Sequence, residues 1–342
     1  MNIPAALAEL TAKNGISGHE AEFARYVSDK ISLYCDEVYI NKTNSVTGVR
    51  RASDSAKTIV LTAHLDRIGL AVREVDENGF VSFAALGGVD ARILPASEVY
   101  IFGREKLFGV IGAKPPHLQS HADSEHGGAV KLDDLLIDTG LGNAARDMIK
   151  PGDPILMKSQ YRELLGGRVT SAALDNRAGM AAVLYCLEAV RDKKLPYNIK
   201  VVFTSGEETG LHGAYTAFDD MPDLAVVVDV THGSTPDAPK VGTFPLGGGT
   251  VICRGPNLHY EITKQVIDLA EKKDIPYKIE VASGSSGTDA WAIQNQKGGA
   301  PCVLLSIPLR YMHTTVETLD IFDIEQTGKL LAEIVCGGVD LA

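Results

Sequence analysis

The sequence predicts an α/β protein: a mixed sheet covered by helices on both faces, with an inserted small β domain. Three observations support this prediction. Short apolar runs lack polar alternation, amphipathic helical patterns lie between them, and helical periodicity weakens in the middle of the chain. Strands that are apolar along their whole length are covered on both faces, and strands that alternate with helices build such a sheet.

Four apolar runs are the predicted strands of the sheet. They are residues 58–63 (TIVLTA), 199–204 (IKVVFT), 224–228 (LAVVV) and 302–307 (CVLLSI). Residues 176–191 and 260–273 carry apolar side chains three and four positions apart, which predicts two amphipathic helices. Near the C-terminus, Asp323 and Gln326 have the spacing of a capping box, so we expect Asp323 to cap the last helix.

The insertion is predicted at residues 70–167. Turn signals rich in Gly, Asp and Asn recur there, and short β-rich runs such as 99–102 and 154–157 lie between them. We therefore expect an α/β domain built from residues 1–69 and 168–342 and an inserted β-rich domain between them.

Composition limits the class of protein. The chain has 342 residues, of which 45% are hydrophobic, enough for a large core. Its formal net charge of −11 argues against a nucleic-acid partner. The five scattered cysteines form no CxxC pair, and neither a signal peptide nor an apolar run of the ~20 residues that span a membrane is evident. We expect a cytoplasmic protein without a membrane partner.

Histidines and acids follow the predicted strands or precede a predicted helix. Such residues meet at the carboxyl ends of strands in an open α/β sheet. Imidazoles and carboxylates together can hold a pair of Zn²⁺ or similar ions, and two close cations need a carboxylate between them. The candidates are His64, Asp66, Asp175, Glu207, Glu208, Asp229 and His313.

The adjacent acids Glu207 and Glu208 admit two interpretations. Most such pairs belong to solvated turns, and like charges at the end of a buried strand repel each other. Two cations would relieve that repulsion. One glutamate could then bind a metal while the other faces a water molecule.

Five motifs occur in an order that resembles a known family. They are AHLD, ALDNRAGM, SGEETG, VVVDV and RYMHTTVE, and the insertion adds VIGAKPPH. The chain resembles the di-metal aminopeptidases that include the tetrahedral (TET) aminopeptidases, glutamyl aminopeptidase and proteins labelled cellulase M. The resemblance covers nearly the whole chain and implies a fold of the di-zinc exopeptidase type.

The resemblance also implies a ligand set for two divalent metal ions per subunit, Zn²⁺ or Co²⁺. Asp175 would bridge the two ions. His64 and Asp229 would complete one site, and Glu208 and His313 would complete the other.

The resemblance further implies catalytic roles. Glu207 would be the general base, Asp66 would orient His64, and the Asp175–Asn176 peptide bond would be cis. The implied reaction releases N-terminal residues from peptides by attack of a metal-bridging water or hydroxide. The family also implies self-association through the insertion, from dimers to a dodecamer. An endoglucanase-type glycosidase and a non-catalytic metal-binding scaffold are the alternatives.

Several other residues are ambiguous in the sequence. Arg67 stands where many relatives carry an acid, and we expect it to pair with a surface acid rather than to alter substrate preference. For Arg310 we likewise expect a structural ion pair. The loop at residues 284–290 either lines a substrate pocket or caps a helix through Asp289. The His19-Glu20 pair lacks the second histidine of a helical zinc motif, because Phe23 stands at that position.

Overall fold

The computed structural model describes residues 1–118, 130–218 and 220–341, and the chain forms two compact units. The first comprises Met1–Arg67, Gln160–Met312 and Val316–Ala342, and the second comprises Ile68–Ser159 and His313–Thr315. The second unit begins and ends earlier than the predicted insertion of residues 70–167. Its C-terminal boundary lies before the predicted one because residues 162–163 and 168–171 form strands that belong to the first unit.

The strands and helices have the following bounds. The strands are β1 (Glu37–Ile40), β2 (Val46–Arg50), β3 (Thr58–His64), β4 (Gly69–Val75), β5 (Val81–Leu86), β6 (Glu98–Phe102), β7 (Lys106–Gly112), β8 (Leu136–Asp138), β9 (Pro154–Met157), β10 (Arg162–Glu163), β11 (Arg168–Ser171), β12 (Asn198–Thr204), β13 (Leu224–His232), β14 (Thr250–Arg254), β15 (Tyr277–Val281), β16 (Cys302–Leu309) and β17 (Glu317–Asp320). The α-helices are Ile3–Thr11, Ala21–Ile31, Ala145–Met148, Leu174–Ala189, His212–Thr216, Tyr260–Lys272, Asp289–Ile293 and Ile321–Glu333. Shorter turns of 3₁₀-helix lie at Ala91–Ile93, Pro116–Leu118, Leu132–Asp134 and Gly142–Ala144, and a π-helical turn lies at Ile334–Gly338.

The first unit is built on a mixed eight-stranded sheet in the order β1-β2-β12-β3-β13-β16-β14-β15. The central strands β12, β3, β13 and β16 run parallel, so their carboxyl ends meet at one edge. The outer strands β1 and β2 form an antiparallel hairpin, and β14 pairs with β16 in the antiparallel sense. The prediction of a mixed α/β sheet is therefore confirmed.

Side chains of the central strands alternate between two apolar clusters. In β3, Ile59 and Leu61 belong to one cluster, whereas Val60 belongs to the other. In β12, Val201 and Val202 divide in the same way. Because successive side chains of a strand point to opposite faces, a strand buried on both faces must be apolar throughout.

Helices cover both clusters. The larger cluster includes residues of Leu174–Ala189, Tyr260–Lys272 and Ile321–Glu333, and the smaller one includes residues of His212–Thr216 and Asp289–Ile293. The predicted covering of the sheet by helices on both faces is thus confirmed.

The prediction that Asp323 caps the last helix is wrong. Asp320 is the N-cap, and its side chain accepts a hydrogen bond from the backbone N–H of Phe322. The buried carboxylate of Asp323 instead accepts from the N–H groups of Gly247 (2.8 Å) and Gly249 (2.7 Å). The prediction from the capping-box spacing failed because the Asp323 carboxylate is used in the contact with Gly247 and Gly249.

The second unit is a closed barrel with strand order β4-β5-β8-β7-β6-β9. Its buried interior is aliphatic and aromatic, with Leu70 and Phe83 on β4 and β5, Val99 on β6 and Ile137 on β8. A closed barrel leaves no unpaired sheet edge, which is how a unit this small keeps its backbone hydrogen-bonded.

Among the described residues, no helix is both long and apolar enough to cross a membrane.

Candidate active site

The parallel strands bring His64 and the paired glutamates to the same edge of the sheet. His64 is the last residue of β3, and its register partner in β12 is Thr204, the last residue of that strand. The chain then turns through Ser205 and Gly206 to Glu207 and Glu208, which are half-buried. The opening of this turn therefore lies beside His64.

Asp229 lies inside a strand, although the sequence predicted a strand end at Val228. β13 pairs with β3 only as far as Val227 and continues along β16 to His232. Asp229 thus follows the point where β3 leaves β13. Parting strands leave room for side chains between them, which is why a buried carboxylate can stand in this apolar strand.

A first group of possible metal ligands consists of His64, Asp175 and Asp229. All three are buried, and one ligand atom from each lies within 4.8 Å of the others. His64 Nε2 is 2.9 Å from Asp175 Oδ1 and 3.8 Å from Asp229 Oδ1. His64 Nδ1 faces the backbone carbonyl of Asp66 at 3.2 Å, so a proton on Nδ1 leaves the Nε2 lone pair toward the acids.

Asp175 also belongs to a second group. It and Glu208 offer carboxylate oxygens within 4.8 Å of one another. Asp175 is therefore the residue that both groups share, as a bridging ligand must be.

Asp175 and Asn176 open the Leu174–Ala189 helix through a cis peptide bond, as the family resemblance implies. Asn176 Nδ2 donates to the carbonyl of Val228 at 2.8 Å, and its Oδ1 accepts from Gly179 N–H at 3.0 Å. A Cβ on Gly179 would lie 2.2 Å from Asn176 Oδ1. The glycine thus permits the contact that ties Asp175's helix to Asp229's strand.

His313 lies in the second unit, where its Nδ1 is 3.0 Å from the carbonyl oxygen of Gly88. A Cβ on Gly88 would approach His313 Nδ1 to 2.8 Å, so only glycine leaves room for this bond. An imidazole that donates from Nδ1 keeps its lone pair on Nε2.

Asp66 holds the glutamate turn directly. Its Oδ1 accepts from the N–H of Glu207 at 3.0 Å, and its Oδ2 accepts from the N–H of Glu208 at 3.2 Å. Its Oδ1 is 3.7 Å from His64 Nδ1. The sequence suggested only the contact with His64, because a carboxylate that accepts from two backbone amides has no sequence signature.

The site is rich in buried acidic side chains. Burial lowers the pKa of His64, but the charge of Glu207 and the contacts with Asp175 and Asp66 outweigh it and hold that pKa well above its ordinary value. Burial raises the pKa of Glu207 and of Asp229, and neighbouring carboxylates add to the effect in spite of His64. Positive charge at this site would therefore stabilise the carboxylates.

The residues present fit divalent cations. An imidazole nitrogen and carboxylate oxygens are ligands that Zn²⁺ and related ions take in proteins. Asp175 provides the shared carboxylate that two neighbouring cations require.

Glu317 and Asp289 are buried acids to which the sequence assigned no role at the site. Glu317 Oε2 accepts from Asp175 N–H at 3.2 Å, so it holds the backbone of the residue that both groups share. Asp289 accepts from the hydroxyl of Thr204, and Thr288 is the N-cap of its helix. The suggestion that Asp289 caps this helix is therefore wrong.

The prediction that Arg67 pairs at the surface is also wrong. Arg67 is only 2% exposed, and the charges of Glu317 and Glu208 act on it. Its guanidinium therefore offsets part of the negative charge of Glu317 and Glu208 from within the protein. Arg310 is half-buried, and its Nε donates to the carbonyl oxygen of Ser234 at 2.6 Å rather than to the acid that we expected.

Comparison with known proteins identifies the family. The family model for M42 glutamyl aminopeptidase matches residues 44–330. Lysyl aminopeptidase of Pyrococcus furiosus is 31% identical over 322 residues, covering 92% of this chain and 92% of that protein. A solved aminopeptidase of the archaeon Desulfurococcus kamchatkensis has a TM-score of 0.90 and 30% identity, covering 98% of this chain and 95% of the other.

A third relative is described as an assembling enzyme. The Pyrococcus horikoshii TET1 peptidase, which can assemble into a tetrahedron or a large octahedral shell, has a TM-score of 0.86 and 29% identity. The match covers 98% of this chain and 99% of that one. The chain belongs to the M42 glutamyl aminopeptidase family and is a metal-dependent aminopeptidase.

Proposed function

We propose that this aminopeptidase uses two divalent cations and that Asp175 is shared between them. His64 and Asp229 complete one ligand set, and Glu208 and His313 complete the other. The observation that carries the proposal is the membership of Asp175 in two groups of ligand atoms, each within 4.8 Å. Family membership supports His313 as the fifth ligand, and its bond to Gly88 leaves Nε2 as the ligating nitrogen.

Bound cations would polarise the carbonyl of the first residue and lower the pKa of water in the site. Glu207 is the general base in this proposal. Burial raises the pKa of its carboxyl group above that of an exposed glutamate, and Asp66 fixes its backbone N–H. Glu207 can thus take a proton from water and pass it to the leaving amine.

The cations are Zn²⁺ or Co²⁺ in this proposal, since imidazole and carboxylate suit both. Cytoplasmic location is proposed on the five free cysteines. Acidic and basic first residues are both candidates for the preferred substrate, because the family model is described by a glutamyl activity whereas the P. furiosus relative is a lysyl aminopeptidase.

A panel of aminoacyl-p-nitroanilides tests the function. We expect turnover of at least one substrate, loss of that activity with a chelator, and recovery with Zn²⁺ or Co²⁺. A soluble cellulose derivative assayed in parallel tests the glycosidase alternative. Metal-dependent cleavage of cellulose without aminopeptidase activity would contradict the proposal, as would metal binding without turnover of any substrate.

We also propose that the barrel unit mediates self-association with further copies of this chain. Phe108 and Val110 project from the same side of β7 and are 47% and 41% exposed. Leu136 of β8 is opposite Gly112 of β7, on that same side, and is 39% exposed. We call these three side chains the outer barrel patch. Dimers that associate into a tetrahedral dodecamer are the proposed assembly, supported by this patch and by the assembling TET1 relative.

A further inference from the structure

Residues 14–20, between the helices Ile3–Thr11 and Ala21–Ile31, run along the chain that follows His64. Arg67 N–H donates to the carbonyl of Gly15 at 3.0 Å, and Ser17 N–H donates to the carbonyl of Arg67 at 3.0 Å. This segment, which we call the N-terminal brace, is therefore joined to the backbone next to Asp66.

The brace also reaches the turn that carries Glu207. Glu20 is 2% exposed, and its Oε1 accepts from the N–H groups of Gly18 (2.8 Å) and Gly206 (3.2 Å). The hydroxyls of Ser17 and Thr209 are 2.7 Å apart and share a hydrogen bond. The brace thus contacts the turn on both sides of the glutamate pair.

Glu20 completes a series of three amides. Asp66 accepts from the N–H groups of Glu207 and Glu208, and Glu20 accepts from that of Gly206. Three successive N–H groups of the turn therefore point to two buried carboxylates. Hydrogen bonds to an ionised acceptor are stronger than neutral ones, so the turn is held more firmly than a typical loop.

The energetic cost of burying Glu20 indicates that the contact matters. Burial raises the pKa of Glu20, and the charge of Asp66 acts in the same direction, while the backbone hydrogen bonds oppose them. The fully buried Arg177 guanidinium, 3.7 Å above the ring of Phe23, supplies compensating positive charge.

We propose that Glu20 is a positioning residue for the general base: through Gly206 it holds the turn that places Glu207 near His64. This inference rests on the proposed function, because it assigns to Glu20 a share in placing that base. The residue does not touch the reacting atoms. Displacement of a catalytic group by about 1 Å can lower the rate about 10²-fold, which sets the scale of the effect.

Three substitutions separate the effect of the length of the Glu20 side chain from the effect of its charge. Glu20→Ala removes the acceptor, and we expect kcat to fall about 10- to 100-fold with KM and metal content unchanged. Glu20→Gln retains an Oε1 at the same reach and should recover most of kcat. Glu20→Asp retains the charge but is one methylene shorter, so it should resemble Glu20→Ala.

The exposed Glu22, two residues along the same chain, provides the matched control. Glu22→Ala should leave kcat, KM and metal content as in the wild type. Should Glu20→Ala not fold, Glu20→Gln and Glu20→Asp still decide the inference through their order. Higher kcat in Glu20→Asp than in Glu20→Gln would overturn it, and so would equal kcat per metal-loaded molecule in all the variants.

Hydrogen exchange separates this inference from the proposed function. Mass spectrometry of the metal-loaded protein should show faster exchange in peptides covering residues 205–210 of Glu20→Asp than in those of the wild type or Glu20→Gln. Unchanged exchange there overturns the inference even if the wild type is an active aminopeptidase. If the wild type hydrolyses no aminoacyl substrate with any metal, the proposed function and the catalytic role of Glu20 both fail. Faster exchange would then show only that Glu20 holds the turn.

Discussion

Glu207 and Glu208 are neighbours in the chain with different surroundings. Glu208 shares a group of ligand atoms with Asp175, whereas the carboxylate of Glu207 acts electrostatically on His64. Asp66 accepts from both backbone N–H groups and so fixes the backbone from which the two side chains extend. The adjacent acids thus have separate tasks in the proposed mechanism.

Exchange of each glutamate for glutamine tests this division. Glu207→Gln should keep the metals and lose about 10²- to 10⁴-fold in kcat, because a general base contributes on that scale. Glu208→Gln should instead lower metal occupancy. Metal analysis and kinetics on both variants check the assignment, and Glu22→Gln serves as an exposed control. Interchanged phenotypes would mean that the roles of Glu207 and Glu208 are reversed.

The chemistry of the site was easier to predict from the sequence than its supporting residues. His64, Asp175 and Asp229 belong to recognisable motifs and follow or interrupt apolar runs. Glu20 and Asp289 could not be recognised as supporting residues in this way, because the sequence does not show whether an acidic side chain is buried or solvated. Arg67 was misjudged for the same reason, since an arginine is usually exposed.

At the scale of elements, the strands were predictable because a two-sided core demands an unbroken apolar run. The apolar pattern did not predict where the strands and helices begin and end, because apolar residues alone do not determine those positions. β13 continues past Asp229 to His232 because it remains paired with β16 after β3 has left it. The last helix begins at Ile321 because Asp320, not Asp323, supplies the cap.

The buried carboxylate of Asp323 predicts a pH effect on stability. Burial raises its pKa to about 7 from an ordinary 3.8, although the N–H groups of Gly247 and Gly249 lower it. A raised pKa in the folded state means that the protonated acid favours folding. The stabilisation is fully present below about pH 4 and is lost as the pH rises to about 7.

Thermal melts at several pH values measure this effect against Asp323→Asn, which does not titrate. The melting temperature of the wild type relative to Asp323→Asn should decrease between about pH 4 and pH 7. The exposed Asp192 offers a control. The melting temperature of the wild type relative to Asp192→Asn should not decrease in this way between about pH 4 and pH 7. A wild-type difference from Asp323→Asn that does not vary with pH would rule out a raised pKa.

At the scale of the whole molecule, the barrel is the part whose purpose the sequence left most open. Its turns and short strands predicted a β-rich insertion, but the closure of six strands depends on pairings between distant segments. β4, for example, pairs with both β5 and β9. Local sequence patterns do not indicate which distant strands pair with each other.

The proposed assembly predicts that charge in the outer barrel patch disrupts it. The double substitution Phe108→Asp and Val110→Asp should shift the protein from large particles toward its 36.5 kDa monomer, because charged groups cannot be buried unpaired between subunits. Native mass spectrometry and sedimentation measure the distribution. Leu33→Asp, at an exposed leucine of the first unit, is the matched control. A wild type that is fully active as a monomer would contradict the assembly proposal.

The central claim is that two cations share Asp175. Its most direct test is the metal content of purified Asp175→Ala, determined by elemental mass spectrometry after loading with excess Zn²⁺ and removal of unbound metal. The wild type and the exposed control Asp237→Ala should each hold about two ions per chain. Asp175→Ala should lose at least one of them and nearly all activity, whereas two tightly bound ions in that variant would contradict the claim.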